Sequence, residues 1–181
     1  LYALYVPYKD QSDIPLFDTS LATENYDSLF KSNRFNGSDR IGDSKQISLG
    51  ISTRFLESKT GYELFSASIG QAFYADERKV SLSKTAGPDT REKSSVMSLL
   101  KFHPTPEWNF QLSSVFDQMN SESEQTDISL RRLDKDSALN MEYHFREDSL
   151  EQTTLSFVYP ISPQWHTFYK RQFSIKHNRI A

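Results

Sequence analysis

The fold is decided by the stretch Gln46-Ile47-Ser48-Leu49-Gly50-Ile51-Ser52-Thr53-Arg54-Phe55, in which large apolar residues recur at alternate positions. Ile47, Leu49 and Ile51 share one face of an extended chain, and the small or polar residues between them share the other. A period of two is typical of a β-strand with one apolar face, whereas an amphipathic helix repeats every ~3.6 residues. The stretch therefore predicts a two-sided strand.

The same alternation returns after each turn and continues to residue 175. It predicts about nine strands of roughly 9–12 residues, which is longer than the roughly 5–6 residues of an ordinary soluble strand. That length fits a tilted strand that crosses a bilayer. We therefore expect an all-β fold, an antiparallel meander of about nine long strands that is part of a large transmembrane β-barrel of the outer membrane.

The links between the predicted strands alternate in length. Links 58–61, 104–107, 134–137 and 160–164 are short, and those between them, 9–45, 76–93, 118–124 and 147–151, are mostly longer. Outer-membrane barrels have short periplasmic turns and longer outer loops. We therefore divide the chain into a long structured outer loop over 9–45, with one helical turn at Tyr26–Phe30, and a hairpin meander over 46–175.

The composition excludes several classes of protein. The 181 residues include no cysteine, which excludes disulfide-stapled miniproteins and Cys-ligated metal domains. No stretch approaches the ~18 consecutive apolar residues of a membrane-spanning helix. A count of 21 Lys and Arg against 24 Asp and Glu gives no basic excess for binding nucleic acid.

No residue pattern indicates catalysis. The sequence contains neither a G-x-S-x-G turn nor a phosphate-binding loop, and its four histidines lack metal-ligand spacing. The Asn and Asp residues between 33 and 43 do not fit a calcium-binding EF-hand, so we expect them to form ion pairs with Arg34 and Arg40 instead. We therefore predict that the protein is not an enzyme and has no catalytic residue, cofactor or metal site.

The face opposite the apolar residues carries too many charges for a dry, packed core. We interpret this face as the lining of a wet lumen, with the acyl chains of lipid against the apolar face. The lumen-lining candidates are Glu63, Lys101, Asn109, Gln111, Arg131, Glu142, His144 and Arg146. The pattern alone leaves three alternatives open, namely a generic porin-like channel, an outer-membrane enzyme and a soluble β-sandwich binding module.

Three motifs in the first 43 residues carry a family resemblance: YVPYKDQ at 5–11, FDT at 17–19 and NRFNGSDRIGD at 33–43. In order and spacing they resemble the Y-V-P-Y-[RK]-D-Q, F-D-[ST] and N-R-F-x-G-x-D-R-I-G-D motifs of the LptD family of LPS-assembly outer-membrane proteins. The matching residues are Tyr5, Pro7, Tyr8, Asp10, Gln11, Phe17, Asp18, Asn33, Arg34, Phe35, Gly37, Asp39, Arg40, Ile41, Gly42 and Asp43.

The resemblance implies a barrel that is plugged by the lipoprotein LptE, receives lipopolysaccharide from a periplasmic bridge that includes LptA, and inserts it into the outer leaflet of the Gram-negative outer membrane. It implies that residues 1–181 are part of the barrel wall, in contact with membrane lipid. A periplasmic jelly-roll domain, the closing strands and the family's disulfide-forming cysteines are expected outside these residues.

Overall fold

The computed structural model describes residues 1–83, 85–176 and 179–180, the last two without their side chains. One short 3-10 helix spans Tyr26–Phe30 and confirms the predicted helical turn. The strands, in chain order, are β1 (Tyr2–Val6), β2 (Ser20–Leu21), β3 (Phe35–Asn36), β4 (Ser44–Leu56), β5 (Glu63–Tyr74), β6 (Val96–Phe102), β7 (Trp108–Asp117), β8 (Glu122–Leu133), β9 (Ala138–Arg146), β10 (Leu150–Ser162), β11 (Trp165–Ser174) and β12 (Arg179–Ile180).

Ten of these strands form one sheet in the order β1-β4-β5-β6-β7-β8-β9-β10-β11-β12. Neighbouring strands are antiparallel in the pairs β1–β4, β7–β8, β8–β9, β9–β10, β10–β11 and β11–β12. The predicted antiparallel meander is thereby confirmed, with the two-residue β12 as an additional strand. A separate small hairpin, β2 with β3, lies within the first long link.

The chain divides into two compact units. The loop unit comprises residues 1–51 and 69–97, and the strand unit comprises residues 52–68 and 98–181. The loop unit contains the two longest links between strands of the main sheet, whereas the strand unit consists mainly of hairpins.

In the strand unit, ladder pairing lines up the apolar residues in rows across the sheet. Leu130 is paired with Met141, and Met141 in turn with Leu155. The neighbouring row on the opposite face pairs Ser129 with Glu142. The side chains of Met141 and Leu155 are exposed, so an apolar face lies open on one side and a polar face lies on the other.

The loop unit shows the same alternation on β4. Ile47, Leu49 and Ile51 are exposed, and Ile51 reaches 76%, whereas the side chain of Ser48 between them is fully buried. The 3-10 helix covers Ser48, and the Ser48 hydroxyl donates to the carbonyl of Leu29 in that helix at 2.6 Å. This part of the polar face of β4 is therefore covered by the first long link.

The 3-10 helix begins at a capping box. The Asn25 side chain accepts from the Ser28 backbone N–H, and the Ser28 hydroxyl accepts from the Asn25 N–H. The Asn25 N–H thereby gains an acceptor at the helix start, and the Ser28 N–H gains a second acceptor beside the carbonyl of Asn25. These bonds fix the direction in which Leu29 points, and its side chain is buried.

Gly70 on β5 leaves room for this helix. A Cβ at Gly70 would lie 2.7 Å from the carbonyl oxygen of Leu49 and 2.9 Å from Cδ1 of Leu29. We expect Gly70→Ala to reduce the free energy of unfolding by about 1–3 kcal/mol, because the backbone or the helix must move. A urea titration of the full-length protein measures this. Gly87→Ala is the matched control, since a Cβ there meets nothing within 4 Å, and equal effects of the two variants would contradict this packing.

Three of the observed links are shorter than the predicted ones. The predicted turn at 160–164 is shorter, because β10 continues through Pro160 to Ser162. Proline is tolerated here since the β10–β11 register is irregular between Pro160 and Ser162. Links 118–124 and 147–151 shrink to 118–121 and 147–149 because the flanking strands extend further. Of the links that were predicted to be the longer ones, only the first two, now 7–43 and 75–95, are long.

Arg171 on β11 lies in the apolar row, paired with Leu155, and is exposed. The irregularity near Pro160 lies toward the turn and does not change the position of Arg171. No helix among the described residues is long and apolar enough to cross a membrane.

Candidate functional site

Asp39 joins the second and third family motifs. Its carboxylate oxygen Oδ2 accepts from the backbone N–H groups of Phe17 at 2.9 Å and Asp18 at 3.2 Å, and from the hydroxyl of Thr19 at 3.0 Å. The N–H groups of Phe17 and Asp18 lower the pKa of Asp39, so it stays ionised and the segments 17–19 and 33–43 are held together. Gly37 has a left-handed φ of 84° beside this contact, where a Cβ would lie 2.8 Å from Oγ1 of Thr19.

Two side-chain amides hold residues 40–42. The Gln11 side chain donates to the Ile41 carbonyl at 2.8 Å and accepts from the Ile41 N–H at 3.0 Å. It thus makes the same pair of hydrogen bonds to Ile41 that the backbone of a neighbouring strand would make. Asn33 donates to the Arg40 carbonyl at 2.9 Å and accepts from the N–H of Gly42 at 2.9 Å. The first and third motifs are therefore joined through polar side chains.

Arg40 was expected to form an ion pair. It instead donates to the carbonyl of Ile14 at 2.7 Å and to its neighbour, the Asp39 carbonyl, at 2.9 Å. Its side chain is buried, and the carboxylate of Asp39 is already occupied by the segment at 17–19. Arg40 thus stabilises the loop through backbone acceptors.

Asp43 connects the two long links of the loop unit. Its carboxylate oxygens accept from the backbone N–H of Lys79 at 2.7 Å and of Val80 at 2.9 Å. Arg34 donates to the Asp43 carbonyl at 2.6 Å, and its guanidinium forms an ion pair with the carboxylate at 3.2 Å. The same guanidinium also donates to the carbonyl of Val80. We call Arg34, Asp43, Lys79 and Val80 the Asp43 clamp.

In the Asp43 clamp, burial disfavours the charged forms of Asp43 and Arg34, whereas their contact with each other favours them. Burial disfavours ionisation of Asp43, but the N–H groups of Lys79 and Val80 and the Arg34 guanidinium outweigh it and lower the pKa of this carboxyl group. Burial also lowers the pKa of Arg34, although Asp43 opposes the shift. The Asp43 carboxylate therefore stays ionised below the ordinary pKa of Asp.

The other motif residues lie around these contacts. Phe35 is buried, and the guanidinium of Arg34 lies 5.0 Å from the centre of its ring. Asp10 accepts from the N–H of Ser12 at 2.9 Å, and a Cβ at Gly42 would lie 2.9 Å from Nη1 of Arg34. The motif residues that are exposed are Tyr5, Pro7, Tyr8, Asp10, Phe17, Asp18, Gly37 and Ile41.

Sequence reasoning missed a second charged group in the loop unit, contributed by the link 75–95. Asp89 forms ion pairs with Arg78 at 2.7 Å and Arg91 at 2.9 Å. Burial opposes its ionisation, yet the hydrogen bond from Arg91 and the charge of Arg78 lower the pKa of Asp89 to about 2. The only available signal was that opposite charges lie close together in this link, and such a signal does not identify the pairs.

In the strand unit, six of the eight lumen-lining candidates lie on the polar face of β7, β8 and β9. Asn109 is paired with Arg131, and Asp127 is paired with His144. The remaining members of this group are Gln111, Glu142 and Arg146. Glu63 lies on β5, 4.0 Å from Arg54, and Lys101 lies on β6.

Asp127 is the centre of a charged network on this face. Its oxygen Oδ1 lies 2.6 Å from Nδ1 of His144 and 2.9 Å from Nη1 of Arg146. The other ring nitrogen of His144 lies 3.6 Å from Glu142. Within the described part of the chain, no group of three or more His, Cys, Asp or Glu is arranged to hold a metal ion. Because the carboxylates of Asp127 and Glu142 alternate with His144 and Arg146, the network can interact with a polar ligand through both charges and hydrogen bonds.

Comparison with known proteins identifies the family. The profile of the family described as LptD, LPS transport system D, matches residues 1–165. The chain belongs to the LptD family. LPS-assembly protein LptD of Nitrosococcus oceani is 36% identical over 183 aligned residues, which cover 99% of this chain and 24% of that protein.

Two further relatives have the same name and similar coverage. LptD of Hahella chejuensis is 35% identical over 90% of this chain and 20% of its own length. LptD of Thiobacillus denitrificans is 28% identical over the whole of this chain and 25% of its own length. The chain thus spans about a fifth to a quarter of these LptD proteins.

Proposed function

We propose that this chain is part of the wall of an outer-membrane β-barrel that inserts lipopolysaccharide into the outer leaflet. Membership of the LptD family over residues 1–165 carries this proposal. The exposed apolar residues of β4, β9 and β10 support it, since acyl chains solvate such a face in a membrane barrel. A soluble β-sandwich would bury the same residues against a second sheet.

The proposed mechanism follows from the two faces of the strands. Lipopolysaccharide has a charged sugar part and several acyl chains. The sugar part interacts with the polar face, where the Asp127 network and Asn109, Gln111 and Arg131 offer donors and acceptors. The acyl chains pass sideways into lipid. No proton transfer or covalent step is required of these residues.

The partners in this proposal are those of the whole LptD assembly. LptE plugs the barrel, and LptA supplies lipopolysaccharide through a domain that lies outside residues 1–181. The jelly-roll domain and the closing strands of the barrel belong to that larger protein. The loop motifs stabilise the mouth of the barrel or contact the plug, because their hydrogen bonds hold residues 11–43 in one conformation.

Removing the contacts of the loop motifs tests this role. We expect Asp39→Ala combined with Arg40→Ala in the full-length protein to weaken the outer-membrane barrier, since segments 14–19 and 39–41 lose their links. Uptake of a large apolar antibiotic and of a fluorescent dye measures the barrier.

The control is Lys45→Ala combined with Asp76→Ala, which removes an exposed ion pair of the same unit. We expect this variant to leave uptake unchanged. Uptake at the wild-type level in the Asp39–Arg40 variant, at equal protein abundance, would contradict a role of the loop motifs in the barrier.

A further inference from the structure

Asn36 and Gly37 form the one Asn-Gly pair in the sequence, inside the third family motif. Asn36 is the last residue of β3, a strand of two residues that pairs only with β2. Both residues of the pair are exposed. A backbone nitrogen that belongs to glycine can be approached closely, because glycine has no side chain to cover it. The Gly37 nitrogen is therefore open to contact with the Asn36 side chain.

The side chain of Asn36 is free to turn. Within the described part of the chain, neither this side chain nor the Gly37 N–H has a hydrogen-bond partner. The side chain of Asn33, by contrast, is held by two backbone groups of the same motif. That of Asn120 donates to a carboxylate oxygen of Asp117 at 2.8 Å. Asn36 thus reaches its neighbour's nitrogen without breaking a side-chain hydrogen bond.

The backbone at Asn36 can also adjust. An approach of the Gly37 nitrogen to the side-chain carbonyl requires Asn36 to rotate out of the extended conformation. β3 resists this rotation with only two ladder pairs, Ser20 with Asn36 and Leu21 with Phe35, and the Asn36 pair is the last of the strand. The ends of such short elements open at low cost. Gly37 already has a φ of 84°, which glycine adopts without strain.

We propose that Asn36 is a site of spontaneous deamidation. The Gly37 nitrogen loses its proton to hydroxide and attacks the side-chain carbonyl carbon of Asn36. The new C–N bond closes a cyclic imide, the bond from this carbon to Nδ2 breaks, and ammonia leaves with a proton taken from water. Water then opens the imide at one of its two carbonyl groups, which gives aspartate or isoaspartate. The step requires no oxidant, reductant or second protein.

Both products add a negative charge where carboxylates are already close. A Cβ at Gly37 would lie 2.9 Å from Oδ1 of Asp18, so the backbone here lies against the segment 17–19. The same segment donates three hydrogen bonds to the carboxylate of Asp39. The new carboxylate repels Asp18 and Asp39, and isoaspartate also lengthens the main chain by one carbon atom. Deamidation therefore weakens the contact between the segments 17–19 and 33–43.

Peptide mapping of the full-length protein in detergent tests the site. The folded protein is kept for several days at a mildly alkaline pH and digested with trypsin, beside a freshly purified sample. Cleavage after Arg34 and Arg40 releases peptide 35–40, in which Asn36 is the single side-chain amide. We expect this peptide to gain the mass difference between an amide and a carboxylic acid, in two forms that separate by chromatography. The gain should be several-fold slower at a mildly acidic pH, because the attacking nitrogen must lose a proton.

Asn120 is the internal control. It is also exposed and is followed by a small residue, Ser121, but its side chain is held by Asp117. We expect Asn120 to deamidate several-fold more slowly than Asn36. The absence of a mass gain in peptide 35–40, or an equal gain at Asn120, would overturn the proposal.

The variant Asn36→Gln tests the effect on the loop, because the longer side chain would have to close a larger ring. We expect the urea midpoint of the wild-type protein to fall during the incubation and that of Asn36→Gln to stay constant. A midpoint that falls equally in both proteins, or in neither, would overturn the weakening of this contact. Peptide mapping does not depend on lipopolysaccharide transport, so it fails separately from the uptake test of the Asp39–Arg40 variant.

Discussion

Asp43→Ala is expected to reduce the free energy of unfolding by about 2–4 kcal/mol, which is the largest single effect in the loop unit. The residue is 5% exposed, and its carboxylate accepts from two backbone N–H groups and faces the Arg34 guanidinium. Alanine leaves all three without this acceptor, and Val80 is buried while Arg34 is half-buried. A urea titration of the full-length protein in detergent micelles measures the loss of unfolding free energy. As a check, unheated gel electrophoresis gives the fraction of protein that still migrates as the folded form.

Asp76→Ala is the matched control for Asp43→Ala. Asp76 also forms an ion pair at 3.2 Å, with Lys45, but its side chain is 66% exposed. Exposed pairs contribute about 0–1 kcal/mol, so we expect a small shift of the unfolding midpoint. Equal shifts for the two variants would show that the Asp43 clamp does not hold the two long links together.

Acid should weaken the same clamp. The pKa of Asp43 is lowered in the folded protein, for the reasons given above. Its contribution to stability is therefore complete above the pKa of the unfolded chain, about 3.9, and is lost as the pH falls through the lower folded value. The difference in stability between wild type and Asp43→Ala should consequently shrink below about pH 4.

The sequence was sufficient to predict the strands because alternation is a local signal. Ile47, Ser48 and Leu49 show it within three positions, and the ladder pairs of β7 to β10 place the polar candidates on one face as that signal requires. Strand ends were less accurate, since β10 passes through Pro160, where a local irregularity accommodates the missing donor.

The contacts of the loop unit could not be predicted in the same way. Asp43 meets Lys79 and Val80, which lie more than thirty positions away along the chain, and no periodic pattern encodes such a pair. The family motifs identified Arg34 and Asp43 but gave no partner in the link 75–95. The buried Arg78 escaped notice for the same reason, because burial in a loop depends on tertiary packing and not on the local sequence.

Met141→Arg is expected to lower the abundance of the folded protein in the outer membrane, at a cost of about 2–4 kcal/mol if the site lies near the middle of the bilayer. Met141 lies near the centre of β9, its side chain is exposed, and its ladder neighbours are Leu130 and Leu155. In lipid, the guanidinium loses its hydration, whereas in water the same exposed position would accept it at almost no cost. The measurement is the amount of protein with folded mobility in isolated outer membranes.

Ser129→Arg is the control that makes this result specific to one face. Ser129 lies on the adjacent strand, on the polar face, and is paired with Glu142, which offers an opposite charge. We expect this variant to reach wild-type abundance. If Met141→Arg also reached it, the apolar face would be in contact with water, and a barrel wall would no longer account for the exposed rows. If both variants were depleted equally, the effect would come from an added charge anywhere in the sheet and not from contact with lipid.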